Sequence, residues 1–178
     1  MSLVSLPNNE ITTFNLIQPN SPGSQYLEKY QSVLNEVKQK VLNNNWTEVD
    51  SALATLDDFR FLIPSITSEH ELNDAKNNSV FLIFLSEAFN LFCRYCGLNF
   101  DGLTLIVSDP ARFYQNFILG GLHHICHQLI TNILTLVKSL NLTAQYIALL
   151  YISMDVVQSF PQHIPPTISR KWLTSPRI

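Results

Sequence analysis

The stretch SDPARFYQNFILGGLHHICHQLITNILTLVKSL, residues 108–140, decides the fold because it joins a helix-start signal to a broad apolar face. Ser108 is suited to be the N-cap, Asp109 falls in the first turn, and Pro110 stands where its missing N–H costs nothing. One wide arc of this helix is apolar, and its members are Leu119, Leu122, Cys126, Leu129, Ile130, Ile133, Val137 and Leu140. Such a face needs packing partners on more than one side. We therefore predict the central helix of a bundle at about residues 109–140.

Two features of this helix bear on function. Its polar arc carries His123 and His127, so both histidines are predicted on a solvated or interfacial strip, whereas Cys126 is predicted in the core. Gly120 and Gly121 lie in mid-helix, where each glycine costs about 1 kcal/mol relative to alanine. The pair indicates a kink, a hinge, or a place where another helix packs closely, and we favour close packing.

Composition and charge restrict the class of protein. The chain has 178 residues, a length that suits one domain, and it is 46% hydrophobic and 14% charged, which argues against disorder. Its net charge of −3 gives no electrostatic footprint for nucleic acid. Acidic side chains dominate residues 46–74 and basic ones dominate after Asp109, so the two parts can attract each other within the fold or between subunits.

The first residues and the cysteine usage predict a cytoplasmic or intracellular protein. The first residues do not show a basic segment followed by an apolar run, so we predict no signal peptide. Three cysteines, an odd number, argue against a closed disulfide framework and for a reducing compartment. Residues 117–137 have the length of a membrane span, but three histidines lie inside them, so we predict no span.

The rest of the chain predicts an all-α, single-domain bundle of about five helices around the central one. The predicted parts are an extended N-terminal arm (1–22), the helical bundle (23–160) and a proline-containing basic C-terminal tail (161–178). Capping boxes are predicted at Asn45 with Glu48 and at Ser68 with Glu71, and Gly97 is predicted to close a helix over residues 79–96. Residues 99–107 are predicted to be a loop, although Asp101-Gly102 is compatible with a hairpin.

One set of side chains has the spacing of a metal site: Cys93, Cys96, His123 and His127. Zinc sites use cysteine and histidine in close pairs, and two ligands from one turn preorganise half of a tetrahedron. Cysteines are nevertheless often simply buried, and histidines on a polar arc need no ligand. We therefore expect no cofactor and no tightly bound metal, with zinc at these four residues as the alternative.

Catalytic patterns are missing from the sequence. It contains no Gly-x-Ser-x-Gly, no glycine-rich phosphate loop and no His-Glu-x-x-His. Asp155 is the single acid of a very apolar helix, and we expect it on the exposed strip of that helix because aspartate is seldom buried without a partner. The chain is predicted not to be an enzyme.

The two ends of the chain give the best hint of function, because proline-punctuated segments with apolar anchors suit a partner's groove or exchange between subunits. The anchors are Ile11, Phe14 and Ile17 near one end and Trp172 and Leu173 near the other. We predict a non-enzymatic helical protein–protein interaction or assembly module whose partner is a protein, most simply a second copy in a homodimer. The alternative is a metal-stabilised or small-ligand-sensing regulatory domain that uses Cys93, Cys96, His123 and His127.

Overall fold

The computed structural model of the chain describes residues 22–43 and 48–174. Its α-helices are α1 (Pro22–Leu42), α2 (Val49–Leu62), α3 (Glu69–Asn77), α4 (Ser79–Tyr95), α5 (Pro110–Arg112), α6 (Ile125–Ser139), α7 (Thr143–Ser159) and α8 (Pro166–Leu173). Two short strands, β1 (Leu98–Phe100) and β2 (Leu105–Val107), stand between α4 and α5. The all-α, single-domain prediction is confirmed.

The first half of the bundle is α1 packed against α2 and α4. The apolar residues of α1 recur every three or four positions, so they share one face, and the buried ones are Tyr30, Leu34, Val37 and Val41. The Tyr30 ring stacks on Phe84 of α4, and its hydroxyl donates to the Leu62 carbonyl at 2.6 Å. One aromatic side chain therefore joins three helices.

Local capping signals set the helix ends where they fall in the described residues. Ser68 Oγ accepts from the Glu71 amide at 3.1 Å, as predicted, and begins α3. Gly97 takes φ +76° directly after α4, and its carbonyl accepts from the Ser108 amide at 2.9 Å, which ties the end of α4 to the start of the next helical segment. At α2, Glu48 is the N-cap, while Asn45 lies outside the described residues.

Residues 98–107 form a hairpin, so the prediction of a loop is wrong. The strands are antiparallel, with Leu98 opposite Val107 and Phe100 opposite Leu105. The Asp101 carboxylate holds the turn by accepting from the Leu103 and Thr104 amides at 2.8 and 2.7 Å. Strands of three residues are marginal alone, and this pair is stabilised because Leu98 is fully buried against the core.

The predicted helix over 109–140 is present as separate pieces rather than as one continuous rod. Asp109, not Ser108, is the N-cap, and its carboxylate accepts from the Arg112 amide at 3.1 Å. After α5 the chain winds as a π-helix (Phe113–Ile118), breaks, makes one 3₁₀ turn (Leu122–His124) and continues as α6. The second half of the bundle is α6 packed against α7 and α8, with further contacts to α2.

The segment predicted as a C-terminal tail contains α8, which packs against α6 and α7. Trp172 of α8 is completely buried in the chain's own core, while Leu173 is half exposed. The anchors predicted near the other end, Ile11, Phe14 and Ile17, lie outside the described residues. Among the helices that the structure describes, none combines the length and apolar character needed to cross a membrane.

Candidate functional site

The break in the predicted central helix gathers unusual backbone conformations. Gly120 and Gly121 take φ +83° and +63°, and two non-glycine residues just after them, His123 and His124, take φ +51° and +57°. Residues other than glycine rarely adopt positive φ, because the Cβ then clashes with the backbone. Such backbone strain persists only where the surrounding structure enforces it. Residues 120–124 are therefore the most strained turn among the described residues, and such turns cluster at functional sites.

The π-helix before the break is held in place by polar contacts. Its wide winding shows in the bond from the Leu119 amide to the Tyr114 carbonyl at 2.9 Å, five residues back. The buried Asn116 side chain donates through Nδ2 to the Tyr95 carbonyl at 2.9 Å, which attaches the π-helix to α4. Single-turn π segments are common at functional positions.

Gly120 is required by a side chain of the same segment. A Cβ placed on Gly120 would lie 2.6 Å from the ring of His127 and 3.0 Å from Nδ1 of His124. The two readings of the glycine pair, a break and a close approach, are therefore both present. The group that comes close is a histidine ring and not another helix.

His127 is completely buried, so its predicted place on a solvated or interfacial strip is wrong. Its Nε2 lies 2.9 Å from the Phe117 carbonyl oxygen and 3.1 Å from that of Ile118. Carbonyl oxygens only accept hydrogen bonds, so Nε2 carries the proton and Nδ1 carries a lone pair. The ring thus satisfies two carbonyls that the break in the helix leaves without intrahelical donors.

The lone pair of His127 is used by a second histidine. His124 Nδ1 lies 3.2 Å from His127 Nδ1, and the rings are stacked with centroids 5.2 Å apart. His124 must therefore be the donor, protonated at Nδ1, while its own Nε2 belongs to an exposed side chain. Burial is the main cause that lowers the pKa of His127, and the nearby charge of His124 lowers it further, against the opposing effect of the two carbonyls.

Trp172 connects the histidine pair to α8. Its ring meets His127 edge-on, with centroids 5.6 Å apart and planes at 87°, and lies 6.2 Å from the Phe117 ring. Its Nε1–H donates to Thr131 Oγ1 at 2.9 Å. The only other large apolar side chains of α8 are Ile168, which is partly buried, and Leu173, which is half exposed. The attachment of α8 therefore depends on Trp172.

A cleft of about 370 Å³ opens beside this contact, between α6 and α8. Its lining includes Trp172, three threonines and two cations, Lys138 and Lys171. The hydroxyl of Thr131 donates to the His127 carbonyl at 2.9 Å and that of Thr174 to the Arg170 carbonyl at 2.7 Å. The hydroxyl protons of Thr131 and Thr174 therefore already form hydrogen bonds within their own helices.

The three cysteines form a buried group. Cys93, Cys96 and Cys126 are all free thiols and all buried, as predicted for Cys126. Burial raises the pKa of Cys93, and burial together with a hydrogen bond to Cys126 raises the pKa of Cys96. A metal ligand must be a thiolate, so these surroundings oppose metal binding.

The structure does not bring Cys93, Cys96, His123 and His127 together. His123 is exposed, while His127 is occupied by two carbonyls and by His124. Across residues 22–43 and 48–174, no group of three or more histidine, cysteine, aspartate or glutamate side chains is arranged to hold a metal ion. Asp155 is exposed, as expected for the outer strip of α7.

The sequence did not reveal the pairing of His124 with His127, nor the role of Trp172. The adjacent Gly120-Gly121 was the available signal. If the helix breaks at these glycines, the face on which each later histidine lies can no longer be counted from the residues before the break. The chain matches no protein-family model, no curated protein and no solved structure in comparisons with each.

Proposed function

We propose that the chain is a non-enzymatic helical interaction module that self-associates through the outer face of α7. The observation that carries this proposal is the exposure of Ile147 (37%) and Tyr151 (65%), which lie one turn apart on the same face of α7. The helix has a single charged residue, Asp155, along its 17 residues. A surface helix ordinarily presents several charges on its outer face, so a face with two large apolar side chains and Asp155 as its only charge favours contact with a partner.

The neighbouring strand extends the apolar surface. β2 lies against α7, and its Ile106 and Val107 are 55% and 40% exposed. Leu103, at the tip of the hairpin, is also largely exposed. Exposed apolar side chains on two adjacent elements support a docking surface rather than scattered single residues.

Charges support a second copy of the chain as the partner. Within the part of the chain that the structure describes, Arg170 and Lys171 of α8 form no ion pair, and the same is true of Asp50 and Glu69. These four residues therefore do not pair with opposite charges among the described residues of the same chain. A second copy supplies the opposite charge to each, as a two-fold interface permits.

The non-enzymatic part of the proposal is supported by the sequence, which holds no catalytic motif, and by the structural hydrogen bonds of two buried polar side chains. Asn116 and His127 both bond to backbone carbonyls. The three free thiols favour a reducing, intracellular compartment.

Sedimentation velocity tests the proposed interface. Replacing Ile147 and Tyr151 together by serine removes the apolar outer face of α7 without touching a buried residue. We expect this variant to sediment as a monomer at a concentration where the unchanged chain is a dimer. The matched control is Ile83→Ser, which removes an equally apolar side chain, 64% exposed, from α4.

Two results would refute the interface. One is a double variant that dimerises as well as the unchanged chain, and the other is an Ile83→Ser variant that loses dimerisation to the same extent. Far-ultraviolet circular dichroism of each variant shows whether the helices are kept.

A further inference from the structure

The hydrogen bond between His124 and His127 is compatible with one added proton on the pair but not with two. At neutral pH the His124 Nδ1–H donates to the lone pair on His127 Nδ1. The exposed His124 can take a first proton on Nε2 without losing this bond. A second proton has to go to His127 Nδ1, where it would point at the Nδ1–H of His124, 3.2 Å away between the nitrogens. Two donors cannot share that contact, so the rings must separate.

No negative charge near the pair can offset the second proton. Besides His127, the titratable side chains on the π-helix, the turn, α6 and α8 are Tyr114, His123, His124, Cys126, Lys138, Arg170 and Lys171. Helices α7 and α2, which also pack against α6, carry the carboxylates of Asp155 and of Asp50, Asp57 and Asp58. None of these carboxylates acts on His127, because His124 is the one charge that does. Double protonation therefore places two positive charges side by side with no counter-ion.

The backbone around the pair also opposes a cation that stays in place. Gly120 lies against the edge of the ring that would take the proton, since a Cβ on Gly120 would be 2.6 Å from both Cε1 and Nδ1 of His127. Burial disfavours the charged ring at this place, and movement into water relieves that cost but gives up the hydrogen bonds to the Phe117 and Ile118 carbonyls.

Helix α8 depends on the ring that leaves. Trp172 is its one fully buried side chain, and the surfaces against which the tryptophan packs include the edge of His127 and the ring of Phe117, whose carbonyl His127 holds. A helix of eight residues is not stable by itself in water. Loss of the His127 contact therefore weakens the attachment of the whole helix.

We propose that the His124–His127 pair is a proton-operated latch, which keeps α8 docked on α6 and α7 at neutral pH and releases it in acid. The direction follows from proton linkage. Undocked histidines titrate near pH 6.5, whereas the docked His127 takes up a proton less readily, so the undocked state binds more protons below that pH. Docking is thus fully stabilised above about pH 6.5 and is progressively lost as the pH falls.

Tryptophan fluorescence of the full chain tests the latch. The chain has two tryptophans, so Trp46→Phe makes Trp172 the sole emitter. Between about pH 7.5 and pH 5 we expect its emission to move reversibly to longer wavelength as the ring becomes solvated, while circular dichroism keeps most of its helical signal. This readout does not depend on the proposed self-association.

Two variants in the Trp46→Phe background separate the latch from a general effect of acid. His127→Gln keeps an N–H donor for the Phe117 and Ile118 carbonyls but cannot be charged, and we expect it to lose the shift. His70→Gln is the matched control, because His70 is an exposed histidine of α3 that pairs with Asp74, and we expect the shift to remain. A shift retained in His127→Gln overturns the proposal, as does the absence of any shift in the parent chain.

Long-range proton–nitrogen NMR spectra of the unchanged chain test the latch without any substitution. We expect His127 to be protonated at Nε2 at neutral pH and to titrate below the ordinary histidine pKa of about 6.5. A His127 ring protonated at Nδ1, or one that titrates at or above that value, contradicts the latch. A helical signal that disappears at the same midpoint as the fluorescence shift also contradicts it, because the whole fold would then be melting.

Discussion

Single residues at the break in the central helix combine two demands that only glycine meets. Gly120 has a positive φ and lies against the His127 ring, so alanine there adds backbone strain and a steric overlap. Gly102 in the hairpin has φ +101° but nothing within 4 Å of a Cβ, so alanine there adds strain alone. The two positions form a natural pair for comparison.

We predict that Gly120→Ala destabilises the protein by more than Gly102→Ala does. The strain of the left-handed conformation costs about 1–2 kcal/mol at either site, and the overlap with His127 adds to it only at Gly120. Urea denaturation of both variants measures the difference. Equal losses would mean that the His127 ring moves aside at little cost, which would also weaken the latch.

A second residue-scale prediction concerns the core face of α6. Leu129 is 1% exposed, and truncating a buried leucine costs its transfer free energy and leaves a cavity, so Leu129→Ala should lose about 2–5 kcal/mol of unfolding free energy. Gln128→Ala is the control. Gln128 is the exposed neighbour of Leu129, so its replacement should change the free energy of unfolding by less than about 0.5 kcal/mol. Chemical denaturation measures both, and a loss at Leu129 no larger than that at Gln128 would contradict its place in the core.

At the scale of elements, helix ends set by local chemistry were predictable and longer-range arrangements were not. Ser68 with Glu71 and the glycine at 97 act within one turn, so their roles could be read from sequence. The hairpin was missed because its stability comes from burying Leu98 on the core and not from its three-residue strands. His127 was misplaced for a similar reason, because the element that covers it, α8, had been assigned to a tail.

The alternative zinc site of the sequence analysis yields a prediction about metal. An ion bound by Cys93, Cys96, His123 and His127 would join the end of α4 to the 3₁₀ turn and α6, and its removal would lower the melting temperature. We expect no such change on adding a chelator at neutral pH, because the two cysteines are buried with raised pKa values and His127 is fully hydrogen-bonded. Elemental analysis of tag-free protein is the companion measurement, and near-stoichiometric zinc would contradict this expectation.

At the scale of the whole molecule, the core faces of amphipathic helices such as α1 could be anticipated from sequence, because their apolar residues recur every three or four positions. What such spacing does not determine is which apolar residues stay outside. Ile147 and Tyr151 belong to a helix that is apolar nearly all round, so the sequence could not say which side faces solvent. The packing of α7 against α6 and α8 decides it.

The molar mass of the unchanged full chain, measured by sedimentation equilibrium from low to high micromolar concentration, tests the proposed self-association most directly. We predict a mass that rises with concentration from the 20.3 kDa of one chain towards that of two. The measurement is made at neutral pH, where α8 is docked. A mass that stays at 20.3 kDa throughout would contradict the proposed function.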